Sequence, residues 1–463
     1  MFFIYPSVRR WSQVLFLVTG MSSLFLQASA RTELENESVR GGSALSGEFL
    51  VKVKSPSILF SFAAERSLLV VPQPLLKTDA GFWFKIVDTS GEFDAARLES
   101  LGFDSGVLHA EPNLIWRAVS SLRGGGKGDD SDNTNPPPEN PPSLPRRPRR
   151  DPQNGKVWGL AKIGAPAAWN ISRGDVQVVV ADIDSGVDYN HEDLINNIWR
   201  NPREIPNDNK DNDGNGFVDD VMGWDFYNKD NRPWDDNGHG THTSGTLGAT
   251  GGNGVGVSGV APRVSIMPIK FLSRYGSGTT EDAIRSINYA VDAGAHILSN
   301  SWGGDEFSLA LQEAIAAAAA KNVLFVAAAG NDGADNDTVP MYPAAYDLPN
   351  VVAVAASDSN EQLADFSNFG LRTVHLAAPG DVIHSTLPLS RYGIMSGTSM
   401  ACPAVAGAAA LLKAYRPGLS AVGLKELLLS SVDRAPAYEG KVQSGGRLNV
   451  EKALLQAGAT PPN

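Results

Sequence analysis

Residues 176–186 read VQVVVADIDSG, a nearly continuous apolar run that ends in a carboxylate and a turn. A strand that is apolar at successive positions is buried on both faces, which is typical of parallel sheets. Runs of the same type recur at 323–327 and 351–355, and helical patterns lie at 280–293 and 306–320. Strands that alternate with helices favour βαβ units. We therefore expect an α/β fold, a doubly wound and mostly parallel sheet with helices on both faces.

Three regions precede this domain. A basic pair, an apolar run and an Ala-Ser-Ala triplet predict a signal peptide over residues 1–30, with an N-terminal membrane anchor as the alternative. Residues 31–119 carry strand patterns at 48–54 and 82–87 among helix-like patches, which predicts a small α+β domain. Residues 120–150 are rich in Gly and Pro and predict a disordered linker. We interpret the RRPRR sequence at its end as a processing site; a nucleic-acid or surface patch is the alternative.

The composition limits the class of protein. Hydrophobic residues make up 42% of the 463 residues and charged residues 19%, as in globular proteins. A net charge of -12 does not favour nucleic-acid binding. The single cysteine, Cys402, excludes an intramolecular disulfide, so metal ions are the expected source of added stability. We expect a soluble, monomeric mature protein without stable membrane insertion. It would be secreted, or held in the periplasm or at the cell surface if the source has an outer membrane.

Four polar residues at the ends of predicted elements are candidates for catalysis. Asp184 ends the first strand, at the sheet edge where α/β folds bind ligands, although Asp-Ser-Gly is also a common turn. His239 stands between glycines that let other backbone approach and is the candidate base, whereas His242 is interpreted as a packed structural histidine. Ser399 opens a helix, where it is either a capping residue or a nucleophile beside backbone N–H groups. Asn331 offers an amide donor after a strand, or simply forms an Asn-x-Gly turn.

The chain order Asp, His, Ser is that of subtilisin and differs from the orders in chymotrypsin and α/β-hydrolases. Together with the segments DSGVD, HGTH, AGNDG and GTSMACP, it makes residues 151–463 resemble a subtilase catalytic domain. The resemblance implies a serine endopeptidase that works through an acyl-enzyme. Ser399 would be the nucleophile, His239 the general base and then acid, and Asp184 the group that orients the imidazole. Asn331 would donate to the oxyanion together with the Ser399 backbone N–H.

The resemblance also implies a cleft for protein or peptide substrates. Two segments match the backbone that flanks an extended substrate, so binding would rest largely on main-chain hydrogen bonds. A methionine near the base of the primary specificity pocket would favour small or medium apolar side chains. The implied cleft residues are Gly276, Ser277, Gly278, Ser301, Trp302, Gly303, Gly304 and Met341.

The region before the linker resembles a subtilase propeptide at its end, where residues 111–118 read EPNLIWRA. The resemblance implies that residues 31–119 are an intramolecular inhibitor and a folding template, because parallel sheets form slowly. Autoprocessing is expected near Ala118, with later trimming near Arg150.

The domain departs from the family pattern at Asp182, Ala404 and His296. Asp182 lies two residues before Asp184 on the same strand face, and two nearby carboxylates resist joint ionisation. A catalytically inactive binding module on the same fold is one alternative function, and a calcium-stapled adhesion or structural protein is another. Neither alternative explains why all four catalytic positions are present.

Calcium is the expected cofactor, as a structural ion at one or two sites, and no catalytic cofactor is expected. Residues 211–220 read DNDGNGFVDD and follow the start of a calcium loop, with a solvated acidic turn as the alternative. The twelfth position is Met222, so one of the last two carboxylates would have to close the shell. The resemblance implies a second site that is clamped by the mature N-terminus. The expected ligands are Asp211, Asp213, Asn215, and Asp219 or Asp220 for the first site, and Asp151, Asp193, Asn253 and the carbonyls of Val255 and Val257 for the second.

Overall fold

A computed structural model describes residues 44–64, 66, 68–102, 106–119 and 149–460. The predicted signal peptide lies outside these ranges, as does the predicted linker up to residue 148. Within these ranges, the helices lack the length and apolar character that crossing a bilayer requires. We call residues 44–119 the N-terminal unit and residues 149–460 the α/β unit.

The described part of the N-terminal unit contains five strands and two helices. They are β1 Ala44–Val53, α1 Pro56–Ala64, β2 Leu69–Val70, β3 Leu76–Thr78, β4 Gly81–Val87, α2 Ala95–Gly102 and β5 Val107–Ala118. All of its strand pairs are antiparallel, with β1 between β4 and β5. The two predicted strands at 48–54 and 82–87 correspond to β1 and β4.

The α/β unit begins with a short 3-10 helix at Asn154–Lys156 and then alternates strands and helices. Its elements are α3 Trp158–Lys162, α4 Ala165–Ala168, β6 Val179–Asp184, β7 Trp224–Asp225, α5 His239–Gly248, β8 Ser265–Lys270, β9 Ser277–Thr279, α6 Thr280–Asp292, β10 Ile297–Asn300, β11 Trp302–Gly303, α7 Leu309–Ala320, β12 Leu324–Ala328, β13 Val351–Ser357, β14 Leu376–Pro379, β15 Ile383–Leu387, β16 Arg391–Met395, α8 Thr398–Tyr415, α9 Ala421–Ser430, β17 Asp433–Arg434, β18 Gly446–Arg447 and α10 Val450–Gln456.

The main sheet has nine strands in the order β17-β18-β14-β13-β12-β10-β6-β8-β7. Every neighbouring pair is parallel except β17 with β18. Because side chains alternate along a strand, the two faces of the sheet contribute side chains to two separate hydrophobic cores. Val180 and Val326 pack with α5, α8, α9 and α10 on one face. Ala181 and Phe325 pack with α6 and α7 on the other, which confirms the doubly wound α/β fold.

The predicted elements begin a few residues early in two places. The strand predicted from Val176 begins at Val179, because Asp175 accepts the N–H groups of Gln177 and Val178 and turns the chain there. The helix predicted from residue 306 begins at Leu309, because the Ser308 side chain accepts the N–H of Leu311 and caps it.

A second sheet joins the two units. Strand β5 pairs with β1 on one side and, through its last residues, with β9 and β11 of the α/β unit. The end of the N-terminal unit therefore lies between two strands that follow β8 and β10 of the main sheet.

Candidate active site

Three of the four candidate catalytic residues lie at element ends on the carboxyl edge of the main sheet. Asp184 is the last residue of β6, His239 the first residue of α5, and Ser399 the second residue of α8. His239 Nδ1 lies 2.7 Å from Asp184 Oδ1 and 2.9 Å from its Oδ2, and both side chains are buried. Burial alone lowers the pKa of His239, but the charge and hydrogen bond of Asp184 outweigh it and raise this pKa. The pair can hold one imidazole tautomer and stabilise its protonated form.

The second ring nitrogen of His239 is available for proton transfer. Among the described residues, Nε2 of His239 has no hydrogen-bond partner, although it is buried. Ser399 Oγ contacts the carbonyl oxygen of Val119 and lies 2.9 Å from the carbonyl oxygen of Ser301. The hydroxyl of Ser399 thus faces a peptide carbonyl of the same chain.

A proline helps to position this serine. Pro403 lies inside α8, and because proline has no N–H it leaves the carbonyl of Ser399 without its intrahelical donor. Ser301 Oγ donates to that carbonyl at 3.0 Å and satisfies it. The segment around Ser301 is thereby joined to the first turn of α8.

Asn331 lies on the other side of the same carbonyl. Its Nδ2 donates to the Val119 carbonyl oxygen at 2.8 Å. Its Oδ1 accepts from the N–H of Thr398 at 2.9 Å and from the Thr398 hydroxyl at 3.0 Å, which fixes the orientation of the amide. This arrangement can stabilise negative charge that develops on a carbonyl oxygen.

The two expected cleft segments enclose the end of β5. Arg117 pairs with Ser277, and Trp116 pairs with Gly278, in an antiparallel register. On the opposite side, Arg117 and Ala118 pair with β11. Two further backbone hydrogen bonds continue the pattern: Ala118 donates to the Gly276 carbonyl at 2.8 Å, and Val119 donates to the Ser301 carbonyl at 3.1 Å. The residues before Val119 occupy the cleft as an extended peptide would.

Trp116 fills a pocket in this cleft. Its side chain is 1% exposed, and its Nε1 donates to the Thr280 hydroxyl at 2.9 Å. Its ring lies edge-on to Trp302, with centroids 5.8 Å apart. A methyl group built on Gly304 would lie 3.1 Å from the Trp116 ring, so the absence of a side chain there makes room for it. The expected backbone segment thus also provides a side-chain pocket.

Met341 lies between the two halves of the site. Methyl groups built on Gly303 and Gly330 would lie 3.4 Å and 3.2 Å from Met341 Cγ. The side chain of Val119 is buried in the core on one face of the main sheet. The residue whose carbonyl contacts Ser399 and Asn331 is therefore a medium-sized apolar one.

His242, His296 and Ala404 have packing roles. His242 is buried, its Nε2 lies 3.0 Å from the Ile383 carbonyl oxygen, and burial lowers its pKa to about 3. His296 accepts the N–H of Val179 through Nδ1 at 3.1 Å, and burial lowers its pKa too. Ala404 is a buried core residue of α8. Asp182 faces α5.

Part of the predicted calcium loop forms a carboxylate cluster. Oxygens of Glu204, Asp213 and Asp220 lie within 4.8 Å of one another. Burial raises the pKa of Asp220, and the nearby Asp213 adds to the effect. Asn215 donates to Asp220 at 3.0 Å and lies beside the cluster. Glu204 was not predicted, because no spacing in the loop connects it to the other carboxylates.

The remaining acids of the loop have other roles. Asp211 accepts N–H groups of its own turn, including that of Gly214 at 2.7 Å, and Asp219 accepts the N–H groups of Asp208 and Asn209. The structure thus brings Asp213 and Asp220 together, and places Asp211 and Asp219 outside the cluster.

The cluster fits a hard cation. Glu204 Oε2 is buried and has no hydrogen-bond partner within the described part of the chain. Three carboxylates are the oxygen donors that calcium prefers, and an orphaned buried oxygen lowers its free energy by binding a cation. Arg203 pairs with Asp213 at 2.9 Å but is about half exposed, so it leaves most of this charge uncompensated.

The residues expected to form the second calcium site also lie together, around the loop at residues 252–258. Asp193 accepts from Asn253 Nδ2 and from the N–H of Val257, both at 2.8 Å. Asp151 reaches the same loop and accepts the N–H groups of Gly252 and Gly254. Burial raises the pKa of Asp193 to about 7. Val255 and Val257 make these loop contacts through their N–H groups, as Val255 does to Asn253 at 2.9 Å.

Comparison with known proteins gives consistent matches. The model of the subtilase family (peptidase S8) matches residues 175–451. The chain is 38% identical over 301 residues to thermitase of Thermoactinomyces vulgaris, which covers 65% of this chain and 96% of that protein. It is 37% identical over 300 residues to a thermophilic serine proteinase of Bacillus sp. strain AK1, covering 65% and 67%. It is 41% identical over 260 residues to the major intracellular serine protease of Bacillus subtilis, covering 56% and 75%.

Proposed function

The chain belongs to the subtilase family and is a subtilisin-like serine endopeptidase, and from this premise we propose that it is an exported precursor whose first substrate is itself. Ser399, His239 and Asp184 form its catalytic triad. Residues 1–30 act as the signal peptide, and residues 31–119 act as the inhibitor of residues 151–463.

One observation carries the proposal. The carbonyl oxygen of Val119 lies between Ser399 Oγ and Asn331 Nδ2, and the residues before it pair with both sides of the cleft. A carbonyl that contacts both a nucleophile and an oxyanion donor is positioned for acyl transfer. The bond between Val119 and Ser120 is therefore the first bond cleaved, one residue beyond the position expected near Ala118.

The chemistry follows from these contacts. Ser399 Oγ attacks the carbonyl carbon of Val119 while His239 Nε2 accepts its proton, and the developing oxyanion is stabilised by Asn331 Nδ2. His239 then donates the proton to the nitrogen of Ser120, the C–N bond breaks, and an acyl-enzyme forms. Water, deprotonated by His239, attacks the ester and releases a carboxylate on Val119. Asp184 holds the imidazole through its hydrogen bond to Nδ1 throughout.

The contacts between the two units support an inhibitory role for the N-terminal unit. Lys85 lies 2.9 Å from carboxylate oxygens of both Glu48 and Glu281, and joins the units in a buried ion triad. Burial favours the neutral forms of these groups, but the attraction between Lys85 and Glu281 prevails, so the pKa of Glu281 is held well below its usual range. After cleavage the unit would remain docked in the cleft and block it.

Substrates would bind as an extended strand, mainly through their backbone. The pocket of Trp116 favours an aromatic side chain at the fourth position before the cleaved bond, and Val119 and Met341 favour a small or medium apolar one directly before it. Extended segments of other proteins that meet these requirements are the proposed substrates.

Calcium would act as a structural ion. Glu204, Asp213 and Asp220 would hold one ion, and Asp151, Asp193 and Asn253 a second, with no role in the chemical step. Such ions would stabilise the folded chain, in which the one cysteine cannot form an intramolecular disulfide.

The direct test compares the full chain with its Ser399→Ala variant. We expect the wild-type protein to cleave casein, to be blocked by a serine-directed sulfonyl fluoride, and to release a fragment that begins at Ser120. Ser399→Ala should lower turnover by about 10⁶ and leave the precursor uncut after residue 119. Ser430→Ala, an exposed serine on α9, is the matched control. Normal processing of the Ser399→Ala chain without another protease would exclude self-cleavage, and a tenth of wild-type casein activity would exclude this nucleophile.

A further inference from the structure

Strand β6 carries two buried carboxyl groups on one face, Asp182 and Asp184. They stand two residues apart, so both side chains leave the strand on the same side, and both are 0% exposed. Asp184 holds His239, as described above, whereas Asp182 has no part in the mechanism as it stands.

Asp182 is bound to the helix that carries the catalytic histidine. Its Oδ2 accepts from Ser244 Oγ at 2.6 Å and from Thr243 Oγ1 at 2.9 Å. Both hydroxyls lie on α5, one turn after His239. Asp182 and Asp184 thus connect one strand to two successive turns of the same helix.

The other oxygen of Asp182 is an orphan. Among the described residues, Oδ1 of Asp182 is buried without a hydrogen-bond partner, and no lysine or arginine forms an ion pair with this carboxyl. The titratable groups that face it are Asp184 on β6, His239 on α5 and the Cys402 thiol on α8. His239 also faces Asp235, in the segment before α5, and His242 on α5, so Asp182 adds to a charge that Asp184 and Asp235 already place there. Burial, together with the charge of Asp184, raises the pKa of Asp182 well above its ordinary range. A second full negative charge in this enclosed space would be costly, because two adjacent buried carboxylates repel each other.

We propose that Asp182 and Asp184 act as a carboxyl pair with one negative charge and one proton, in which Asp182 is a positioning residue that sets the charge felt by His239. This inference rests on the proposed function of the same site. With its proton, Asp182 anchors α5 without adding charge; without its proton, it places a second negative charge near His239 and makes the imidazole more basic.

The coupling has a measurable consequence. His239 must be neutral to act as a base, so kcat/KM rises with pH as the imidazole loses its proton. In the wild type, Asp182 and His239 lose protons in overlapping steps, because the charge of each affects the other. The rise should therefore extend over a wider pH range than a single ionisation, and its midpoint should lie higher than it would without Asp182.

The test is the pH profile of kcat/KM for a chromogenic peptide, with the wild-type protein and the Asp182→Asn variant. Asparagine keeps the shape and an acceptor oxygen but cannot ionise. We expect the midpoint to move to lower pH by about one unit, a tenfold change in proton affinity, and the profile to steepen to that of a single group. Ser244→Ala removes a donor to the charged form, so Asp182 keeps its proton to higher pH, and the midpoint should move in the same direction by a smaller amount. Thr246→Val is the control, because this hydroxyl on α5 bonds the His242 carbonyl instead.

Identical midpoints and slopes in the wild type, Asp182→Asn and Ser244→Ala, all with measurable activity, would overturn the proposal. If Asp182→Asn does not fold, Ser244→Ala alone decides between the same two outcomes. A wild-type protein that cleaves no peptide would instead contradict the proposed function, so the two failures are distinguishable.

Discussion

At the scale of single residues, the oxygen and the nitrogen of the Asn331 side-chain amide bind different partners. Thr398 donates twice to its oxygen, which leaves its nitrogen directed at the Val119 carbonyl. The proposed role of this side chain therefore depends on Thr398, the neighbour of Ser399, and not only on its own position in the turn after β12.

Replacing Asn331 with Leu should test that role. The substitution removes the donor and keeps the approximate volume, so the substrate still binds while the oxyanion loses a hydrogen bond. We expect kcat to fall by about 10²–10³ with little change in KM, which is the size known for loss of the corresponding donor in subtilisin. Steady-state kinetics on a short peptide measure both constants. A raised KM with an unchanged kcat would show that Asn331 contributes to binding instead.

Thr280 is the residue that makes the aromatic pocket selective. Its hydroxyl accepts the indole N–H of Trp116, which a phenylalanine could not offer. We expect Thr280→Val to reduce the preference for Trp over Phe at the fourth position before the cleaved bond by about fivefold, the value of one buried hydrogen bond. Thr280→Ser keeps the hydroxyl and should keep the preference. Equal losses on both peptides would mean that Thr280 serves only the first turn of α6.

At the scale of elements, β5 both fills the cleft and caps two helices. The Glu111 carboxylate accepts the N–H groups of Leu309 and Ala310 at the start of α7, and Asn113 accepts the N–H of Glu281 at the start of α6. The first N–H groups of a helix have no partner within it, and its N-terminus favours negative charge. The N-terminal unit thus adds acceptors for first-turn N–H groups that the helices' own caps, Ser308 and Thr279, do not bind.

Removing one cap should loosen the docking of the N-terminal unit. In the Ser399→Ala chain, which stays uncut, Glu111→Ala should cost about 1 kcal/mol of docking free energy, as for loss of a helix cap. Hydrogen exchange of the amides of Leu309 and Ala310 measures the effect and should become faster. Glu92→Ala, an exposed acid of the same unit, is the control. Unchanged exchange at both amides would show that solvent caps α7 equally well.

The helices and strands could largely be predicted from the sequence, whereas the contacts between them could not. The pattern at 280–293 corresponds to α6, and the apolar run at 351–355 corresponds to β13, because burial on defined faces leaves a periodic trace in the sequence. The four segments that carry Asp184, His239, Asn331 and Ser399 were found from their order. Contacts between segments distant in sequence, such as that of Asp182 with the middle of α5, leave no periodic trace and needed the structure.

At the scale of the whole molecule, stability is expected to depend on calcium. An ion that binds only the folded state at a hundred times its dissociation constant adds about 2.7 kcal/mol. We expect calorimetry to show a lower melting temperature in excess chelator than in calcium, and this difference should shrink in Asp213→Asn and Asp220→Asn. Asp208→Asn, in the same loop but outside the cluster, should keep the difference. The same melting temperature with and without the chelator would contradict calcium binding and leave the protease assignment intact.

The origin of this cluster also shows what sequence alone could not provide. Asp213 and Asp220 follow a recognisable loop spacing, but Glu204 enters from outside it, through its own contacts with the N–H groups of Asn212 and Asp213. In the same way, the position of Val119 in the oxyanion site depends on the register of β5 against two distant strands. The same sequence pattern is compatible with a register of β5 shifted by one residue, so the pattern alone does not reveal the register.

Because β5 belongs to the same polypeptide as the cleft that it fills, the proposed first cut would be a unimolecular reaction. Its half-time should be unaffected by dilution, whereas recapture of the severed unit depends on how often the two pieces meet. Concentrated protein should therefore complete its own cleavage and still remain inhibited by the severed N-terminal unit. After dilution, the severed N-terminal unit should dissociate and the same protein should begin to cleave other proteins, so that dilution activates it.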